Sequence, residues 1–343
     1  MRAWLLSRPG PLESSPVALG DAPEPRAGDG EVLVRVEAAP VDATDLAVAR
    51  GEIPIARFPV VAGQAAAGVV ESPGIVESPG GRFAAGDRVV VSRLRSACGA
   101  CALCTRDFAH LCARRAEHGV HADGGLAERV AAPASALVEI PDELSFIEAA
   151  ALAGDAVLGY RAFLRRPVMY GERLGILGYG PAGVVAQLYA RSGGASATLV
   201  FTRSEPHRQL ARALGAEWAG AIEDHPATAE PLDAVLSLGI AGRVLPAALR
   251  HLRPGGALVF ASASFSEAIP ALDYARHLDR ERGLLSVSSA PRFDVFSLLR
   301  VAAEDPSFRV PAEPFAFDAV PAALEAVEAN RVRGAAVVSA LRR

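Results

Sequence analysis

Lysine is absent from this 343-residue sequence, so all 35 of its basic residues are arginine and no lysine is available as a catalytic base. The formal net charge is only -4. Because no block of like charge occurs, nothing points to nucleic acid or a membrane surface as a partner. No apolar run approaches the roughly 20 residues of a membrane helix, and the opening run, residues 1–6, is too short for a signal peptide. We expect a cytoplasmic protein that acts on a small molecule.

Cysteine is scarce, and its four copies all lie between positions 98 and 112. Their spacing is Cys98-x2-Cys101-x2-Cys104-x7-Cys112. Without a secretory signal, such clustering favours a metal site over disulfides. Four thiolates can surround one tetrahedral Zn²⁺ and leave no position open for water or substrate. We predict one structural zinc ion per chain, in a lobe over about residues 93–115; an iron–sulfur cluster fits this spacing less well.

Two kinds of secondary structure follow each other along the chain. Short β-branched runs such as 31–37, 66–71 and 88–92 predict a compact, barrel-like β domain. From about Ser145, predicted strands alternate with helices, which is typical of a parallel α/β sheet. Further predicted elements are strands at 173–177, 197–201, 233–238, 257–261, 284–288 and 335–340, helices at 181–192 and 205–214, and a surface hairpin lengthened by the tandem repeat at 70–74 and 76–80.

A glycine-rich motif, G-x-G-x-x-G, joins the strand predicted at 173–177 to the helix predicted at 181–192. This position inside a βαβ unit makes the motif specific for a dinucleotide. The first glycine permits the tight turn, the second lets the diphosphate approach, and the third lets helix and strand pack closely. The helix dipole and the free amides of the first turn bind the anion. The predicted diphosphate-binding residues are Gly178, Gly180, Pro181, Ala182 and Gly183.

The end of the next predicted strand bears on the choice between NAD and NADP. An NAD site places a carboxylate there, on the ribose 2′-hydroxyl. This chain has Thr202, Arg203 and Ser204, followed by Arg208, and no acid at that position. A cation and hydroxyls suit a 2′-phosphate, so we predict NADP(H); alternatively, the two arginines are solvated surface charges.

Together these features resemble the medium-chain dehydrogenase/reductase superfamily, in its zinc-type alcohol dehydrogenase branch, over essentially the whole chain. The resemblance implies a GroES-like β-barrel catalytic domain over 1–145 that carries the zinc lobe. It also implies a Rossmann cofactor domain over 146–290 and a C-terminal segment, 291–343, that returns to the catalytic domain. Residues 122–128 look like the family's "GG-aromatic-AEY" strand. The family pairs Rossmann edge strands, which implies a homodimer formed through residues 284–289.

The motifs that hold the family's catalytic zinc are altered here. A "C-x-T-D" motif is DATD at 42–45, a "G-H-E-x-x-G" motif is GQAAAG at 63–68, and a "C-A-G-x-x-x-Y" stretch is GDAVLGY at 154–160. The ligand positions therefore hold Asp42, Gln64 and Gly154, with Asp155 as a further oxygen donor. Catalytic Zn²⁺ is usually held by thiolate and imidazole groups, with one position open. The resemblance thus predicts a member that keeps only its structural zinc.

Without a catalytic zinc ion, the enzyme is expected to reduce only certain hydride acceptors. These are acceptors whose reduced form either delocalises the negative charge or is neutral. We predict NADPH-dependent reduction of an enone or enoyl double bond, a quinone or an iminium ion. Thr44 and Gln64 are the predicted donors to the developing oxyanion. Asp42 either returns a proton as a buried neutral acid, or stabilises an iminium as a carboxylate, or only bonds nearby backbone.

Two other functions remain open at this point. One is a zinc alcohol dehydrogenase with unusual oxygen ligands, and the other is a non-catalytic NADPH-binding sensor or partner subunit. None of the seven histidines occupies a catalytic position of the family. His118 and His121, predicted near the substrate side of the β domain, are the two worth testing.

Overall fold

The computed structural model describes residues 1–72, 76–78, 81–225, 230–239, 242–261 and 268–339. The chain divides into two compact units. Unit 1 comprises Met1–Gly154, Ser289–Ala329 and Ala335–Arg343, and unit 2 comprises Asp155–Ser288 and Asn330–Gly334. Among the described residues, no helix has the length and apolar character needed to cross a bilayer.

The strands and helices are numbered separately in chain order. The strands are β1 Arg2–Leu6, β2 Val17–Asp21, β3 Glu31–Val41, β4 Val60–Val61, β5 Ala66–Ser72, β6 Val76–Ser78, β7 Gly81–Phe83, β8 Arg88–Val91, β9 Leu94–Ser96, β10 Ala116–Glu117, β11 Arg129–Pro133, β12 Leu137–Glu139, β13 Arg173–Leu177, β14 Ala197–Phe201, β15 Trp218–Gly220, β16 Leu232–Leu238, β17 Leu252–Ala261, β18 Gly283–Val287, β19 Ala312–Ala316 and β20 Ala335–Ser339. The α-helices are α1 Ala43–Arg50, α2 Phe146–Ala153, α3 Ala156–Arg165, α4 Pro181–Ser192, α5 Glu205–Ala213, α6 Leu245–Arg250, α7 Arg292–Glu304 and α8 Val320–Glu328.

Unit 1 is built around a sheet with the order β12-β8-β5-β3-β20-β19, in which β11 also pairs with β3. The long strand β3 lies inside this sheet. Its alternate residues Val32, Val34 and Val36 are buried, as expected for a strand with one face on a core. A separate three-stranded sheet joins β2, β1 and β4. This arrangement confirms the predicted GroES-like β domain.

The tandem repeat falls at the hairpin of β6 and β7. The second copy contributes β6, which pairs antiparallel with β7 from Val76↔Phe83 to Ser78↔Gly81. Residues 73–75 and 79–80 lie outside the described residues.

Unit 2 contains a six-stranded sheet with the order β15-β14-β13-β16-β17-β18, and all of its pairs are parallel. Counted from β13, this is the order 3-2-1-4-5-6 of the Rossmann fold, which confirms the predicted cofactor domain. In such sheets the ligand binds at the carboxyl ends of the strands where the order reverses, here between β13 and β16.

Besides a shift of two residues at Ser289, the division between the units differs from the predicted boundaries in two places. Helix α2, Phe146–Ala153, belongs to unit 1 because it packs against β3 and β5. Residues Asn330–Gly334 belong to unit 2, where the Val332 carbonyl accepts a 2.9 Å hydrogen bond from Nε2 of His207. Both differences depend on contacts between residues far apart in the sequence, which periodicity cannot reveal.

Candidate functional site

The glycine-rich turn follows β13 as predicted. Gly178 has φ 83°, a left-handed conformation that favours glycine, and its amide donates to the Phe201 carbonyl at 3.0 Å. Gly180 is the N-cap of α4, and a Cβ added there would meet nothing within 4 Å. The backbone is therefore open at Gly180. Pro181 begins the helix, and the first-turn amides of Ala182 and Gly183 have no acceptor within the helix. This geometry fits a diphosphate.

Gly159 of α3, which the sequence analysis did not single out, positions the start of α4. A Cβ at Gly159 would lie 2.0 Å from the Ala182 carbonyl oxygen and 2.7 Å from its carbonyl carbon. Only glycine fits there, because the obstacle is backbone and cannot rotate away. A glycine within an apolar helix was the only available signal in the sequence.

The four predicted 2′-phosphate residues differ in what they already bind. Arg208 donates to the carbonyls of Thr202 at 3.0 Å and Arg203 at 3.1 Å, which closes the end of β14. The Ser204 hydroxyl donates to the Asn330 carbonyl at 2.7 Å and accepts from the His207 amide at the start of α5. The Arg203 side chain is 77% exposed and pairs with the exposed Glu223 at 2.7 Å. An exposed pair of this kind is weak because water screens it, so Arg203 is the cation most easily redirected to a ligand.

The four cysteines come together as predicted. Their ligand atoms all lie within 4.8 Å of one another. The Sγ atoms of Cys98 and Cys104 are 3.8 Å apart, those of Cys101 and Cys104 3.5 Å, and those of Cys101 and Cys112 3.9 Å. A tetrahedral zinc ion with Zn–S bonds of about 2.3 Å requires sulfur separations of about 3.8 Å, so the four side chains fit this ion.

The surroundings of Cys98 favour a thiolate, whereas burial raises the pKa of Cys104. Backbone N–H groups of Ala100 and Cys101 lower the pKa of Cys98 to about 5. The Cys101 amide is 3.4 Å from Sγ of Cys98, and the Arg114 amide is 3.3 Å from Sγ of Cys112. Amide donors of this kind stabilise a Zn²⁺-bound thiolate in the same way as they lower the pKa of a free one.

Asp42 begins α1 as its N-cap. Its Oδ1 accepts from the amides of Thr44 at 2.9 Å and Asp45 at 3.3 Å, while Oδ2 of Asp45 accepts from the Asp42 amide at 3.0 Å. This reciprocal pair is a capping box. One oxygen of Asp42 thus bonds nearby backbone, as one of the three sequence interpretations holds. Thr44, in the first turn of α1, is buried.

The second carboxylate oxygen of Asp42 lies beside Gly154. A Cβ built on Gly154 would be 2.7 Å from Oδ2 of Asp42 and 3.0 Å from Cβ of Pro40. Positions 42 and 154 are therefore neighbours, as the resemblance implies. The carboxylate of Asp42 occupies the space into which any side chain at 154 would extend.

Gln64 follows a glycine with φ 91° and is 5% exposed. Its buried Nε2 has no hydrogen-bond partner among the described residues. The segment is held by the double-glycine stretch at 122–128, where isolated bridges at Ala122 and Ala127 take the place of the predicted strand. The Gly125 amide donates to the Gly63 carbonyl at 3.0 Å, and a Cβ at Gly124 would lie 1.9 Å from the same oxygen. The two glycines are thus needed for this close approach.

Residues 28–142 match the family described as "Alcohol dehydrogenase GroES-like domain". Over 340 residues, 98% of this chain and 97% of the relative, the chain is 35% identical to the probable alcohol dehydrogenase AdhA of Mycobacterium tuberculosis. An alcohol dehydrogenase of Geobacillus stearothermophilus is 36% identical over 203 residues, 59% of each chain.

Among solved structures, a cobalt- and zinc-bound thermostable alcohol dehydrogenase from Pyrobaculum aerophilum superposes with a TM-score of 0.88. It is 27% identical, and the match covers 99% of both chains. With the Rossmann strand order, the glycine-rich turn and the four-cysteine lobe, these similarities show that the chain belongs to the medium-chain dehydrogenase/reductase superfamily, in its zinc-type alcohol dehydrogenase branch.

Proposed function

We propose that this oxidoreductase uses NADPH to reduce an activated double bond conjugated to a carbonyl, with quinones as related acceptors, and that its zinc is structural only. The observation that carries the proposal is the N-cap made by Asp42 beside a glycine. Gly154 has no side chain to offer as a ligand, and Oδ1 of Asp42 is already bonded to two amides of α1. Too few donors remain for a Lewis-acid metal.

Within the described residues, the four cysteines are the only group of three or more His, Cys, Asp or Glu side chains close enough to share an ion. Reduction of a saturated ketone places full charge on one oxygen, which a metal normally stabilises. An enone instead takes hydride at its β-carbon, so the C=C π bond breaks and the charge spreads over an enolate. Protonation at the α-carbon then completes the saturated product.

When bound, NADPH supplies the hydride and becomes NADP⁺. The chain must bind the acceptor and stabilise its oxygen. Nε2 of Gln64 is a buried donor without an acceptor among the described residues, so it suits an oxygen on which negative charge develops. Thr44 is the second proposed donor, from the first turn of α1.

The test compares cyclohex-2-enone, a benzoquinone and cyclohexanone as acceptors, with NADPH oxidation followed by absorbance. We expect kcat/KM for the enone to exceed that for the saturated ketone by at least about 100-fold, with cyclohexanone as the product. Equal rates on the two ketones, or tight NADPH binding without turnover of any acceptor, would contradict the proposal. The second of these outcomes would favour a sensor or partner subunit.

The relatives named alcohol dehydrogenases favour a second candidate, a zinc alcohol dehydrogenase with oxygen ligands. Metal analysis separates the two functions. We expect one zinc ion per chain and no alcohol oxidation that depends on a removable metal. Two zinc ions per chain, with alcohol oxidation abolished by a chelator, would support the alternative.

The proposed preference for NADPH rests on Arg203. Its ion pair with the exposed Glu223 is weak, so its guanidinium group can turn to bind a 2′-phosphate. We expect Arg203→Ala to raise KM for NADPH by about 10- to 100-fold, the equivalent of one lost charge-assisted hydrogen bond, and to leave KM for NADH within about threefold. Arg191→Ala, at an exposed position near the end of α4, is the control. Equal effects on the two cofactors would remove Arg203 from 2′-phosphate binding.

Asp42→Asn separates enone from iminium reduction. Negative charge at the start of a helix is favourable, and such a charge would stabilise an iminium acceptor. Asparagine is an equally good N-cap, so α1 should keep its structure. We expect the enone rate to stay within about threefold and the rate on a cyclic iminium to fall at least tenfold if the charge acts on the substrate. Unchanged rates on both would show that Asp42 only caps α1.

We also propose a homodimer formed through β18. This strand, Gly283–Val287, is the last in the order of the described parallel sheet, and an unpaired edge can pair with a second copy. Light scattering on the eluting protein should give twice the chain mass of 35.6 kDa. Ser286→Pro, which disturbs this edge, should shift the mass towards that of one chain.

A further inference from the structure

His118 is a buried histidine of unit 1 that the proposed reaction does not use. Its exposed fraction is 1%. Its amide donates to the Arg93 carbonyl at 3.0 Å, and Nδ1 lies 2.9 Å from the Ser92 carbonyl oxygen. Since a carbonyl oxygen can only accept, Nδ1 carries a proton.

The ring of His118 is neutral near pH 7, because burial, reinforced by the charge of Arg95, lowers its pKa to about 4. In a neutral ring with its proton on Nδ1, Nε2 bears the lone pair. Nε2 is buried and has no hydrogen-bond partner among the described residues. A buried acceptor without a donor costs about 1–3 kcal/mol, so a donor brought by a ligand would be bound favourably.

His118 lies beside the segment that carries Gln64. Strands β5 and β8 pair antiparallel up to Ala66↔Val91. Gln64 and Arg93 each lie two residues beyond this last pair, and Arg93 is one of the two residues whose carbonyls hold His118. Next to His118 in the chain, a Cβ at Gly119 would lie 2.8 Å from the Gly63 carbonyl oxygen.

Two buried polar atoms of opposite kind, on adjacent segments, thus have no hydrogen-bond partner within the described ranges. Nε2 of Gln64 can only donate, and Nε2 of neutral His118 can only accept. We propose that they bind the same substrate, with Gln64 donating to its carbonyl oxygen and His118 accepting from a hydroxyl group on the same molecule. The preferred acceptor is then a hydroxylated enone, an assignment that rests on the proposed function.

A buried acceptor discriminates strongly, because a substrate without the hydroxyl leaves Nε2 of His118 unsatisfied. Binding is measured by calorimetry on the zinc-loaded full chain saturated with NADP⁺. The probes are the 2-, 3- and 4-hydroxycyclohexanones against cyclohexanone. At least one hydroxylated isomer should bind tenfold or more tightly than cyclohexanone. The matching hydroxylated cyclohex-2-enone should show the same preference in kcat/KM.

His118→Leu removes the lone pair while keeping an apolar side chain of similar size. The preference for the hydroxylated probe should fall to about one, with cyclohexanone binding within threefold of wild type. His121→Asn, at an exposed position of the same loop, should keep the wild-type preference. No preference in the wild type, or the same preference in His118→Leu, would overturn the proposal.

If His118→Leu does not fold, nitrogen NMR of the wild-type protein provides the test of the proposed role of His118. The Nε2 resonance of His118 should move on addition of the preferred hydroxylated probe and not on addition of cyclohexanone. No movement would overturn the proposal. Binding preference without NADPH oxidation on any enone would instead contradict the proposed reaction and leave the role of His118 standing.

Discussion

Replacement of Cys104 by serine should release the zinc ion and destabilise the chain by about 3 kcal/mol or more, a loss expected when a structural metal site is broken. Cys104 lies 3.5 Å from one neighbouring sulfur and 3.8 Å from another, so its loss removes one corner of the tetrahedron. Zinc content by mass spectrometry and unfolding in urea measure the two effects.

The control for this change is Thr105→Ala, in the same lobe. The Thr105 hydroxyl is exposed and donates only to the Cys101 carbonyl at 3.3 Å, so the zinc content should stay at one per chain and the free energy of unfolding should change by about 0.5 kcal/mol or less. A Cys104→Ser protein that keeps its zinc and its stability would show that the four sulfurs do not hold a shared ion.

Gly159→Ala should be among the most damaging single substitutions in unit 2. Alanine is the better helix former by about 1 kcal/mol, so propensity alone predicts stabilisation. The added Cβ, however, would lie 2.0 Å from the Ala182 carbonyl oxygen and would force α3 and α4 apart. We expect a net loss of about 3 kcal/mol or more in the free energy of unfolding, and weaker NADPH binding because the first turn of α4 moves.

Gly180→Ala is the matched comparison for Gly159→Ala. Its Cβ would meet nothing within 4 Å, so the free energy of unfolding should change by no more than about 0.5 kcal/mol. NADPH binding should nevertheless weaken at least tenfold, because the methyl group enters the space left for the diphosphate. Comparable stabilities for the two variants would contradict this account of Gly159.

Several elements of unit 2 could be read directly from the sequence. The predicted bounds of β13, α4 and β14 agree with the structure to the residue. The reason is local: β13 and α4 are each followed directly by glycine, β14 is a buried run between polar residues, and the motif from Gly178 to Gly183 fixes where the helix begins. The four cysteines were equally readable, since their spacing within fifteen residues leaves little freedom in how they meet.

The surroundings of Asp42 could not be read in this way. The capping box is visible in the sequence as an aspartate three residues before another, but the approach of Oδ2 to Gly154 joins positions more than 100 residues apart. Nor does any local pattern show that Nε2 of His118 has no donor in the part of the chain that the structure describes. Such features arise only when strands and loops are brought into register, so they require the structure.

Strand β20 lies next to β3 in the middle of the unit 1 sheet, with Ala336 opposite Val41. During synthesis, β3 therefore leaves the ribosome almost 300 residues before this neighbour, whereas the strands of unit 2 are all complete by Val287. We expect the sheet of unit 2 to form first. Until β20 is synthesised, the edge of β3 that it will cover stays unpaired and can pair with a wrong strand. Chaperone dependence and the yield of truncated chains that end before Ala335 would report on this delay.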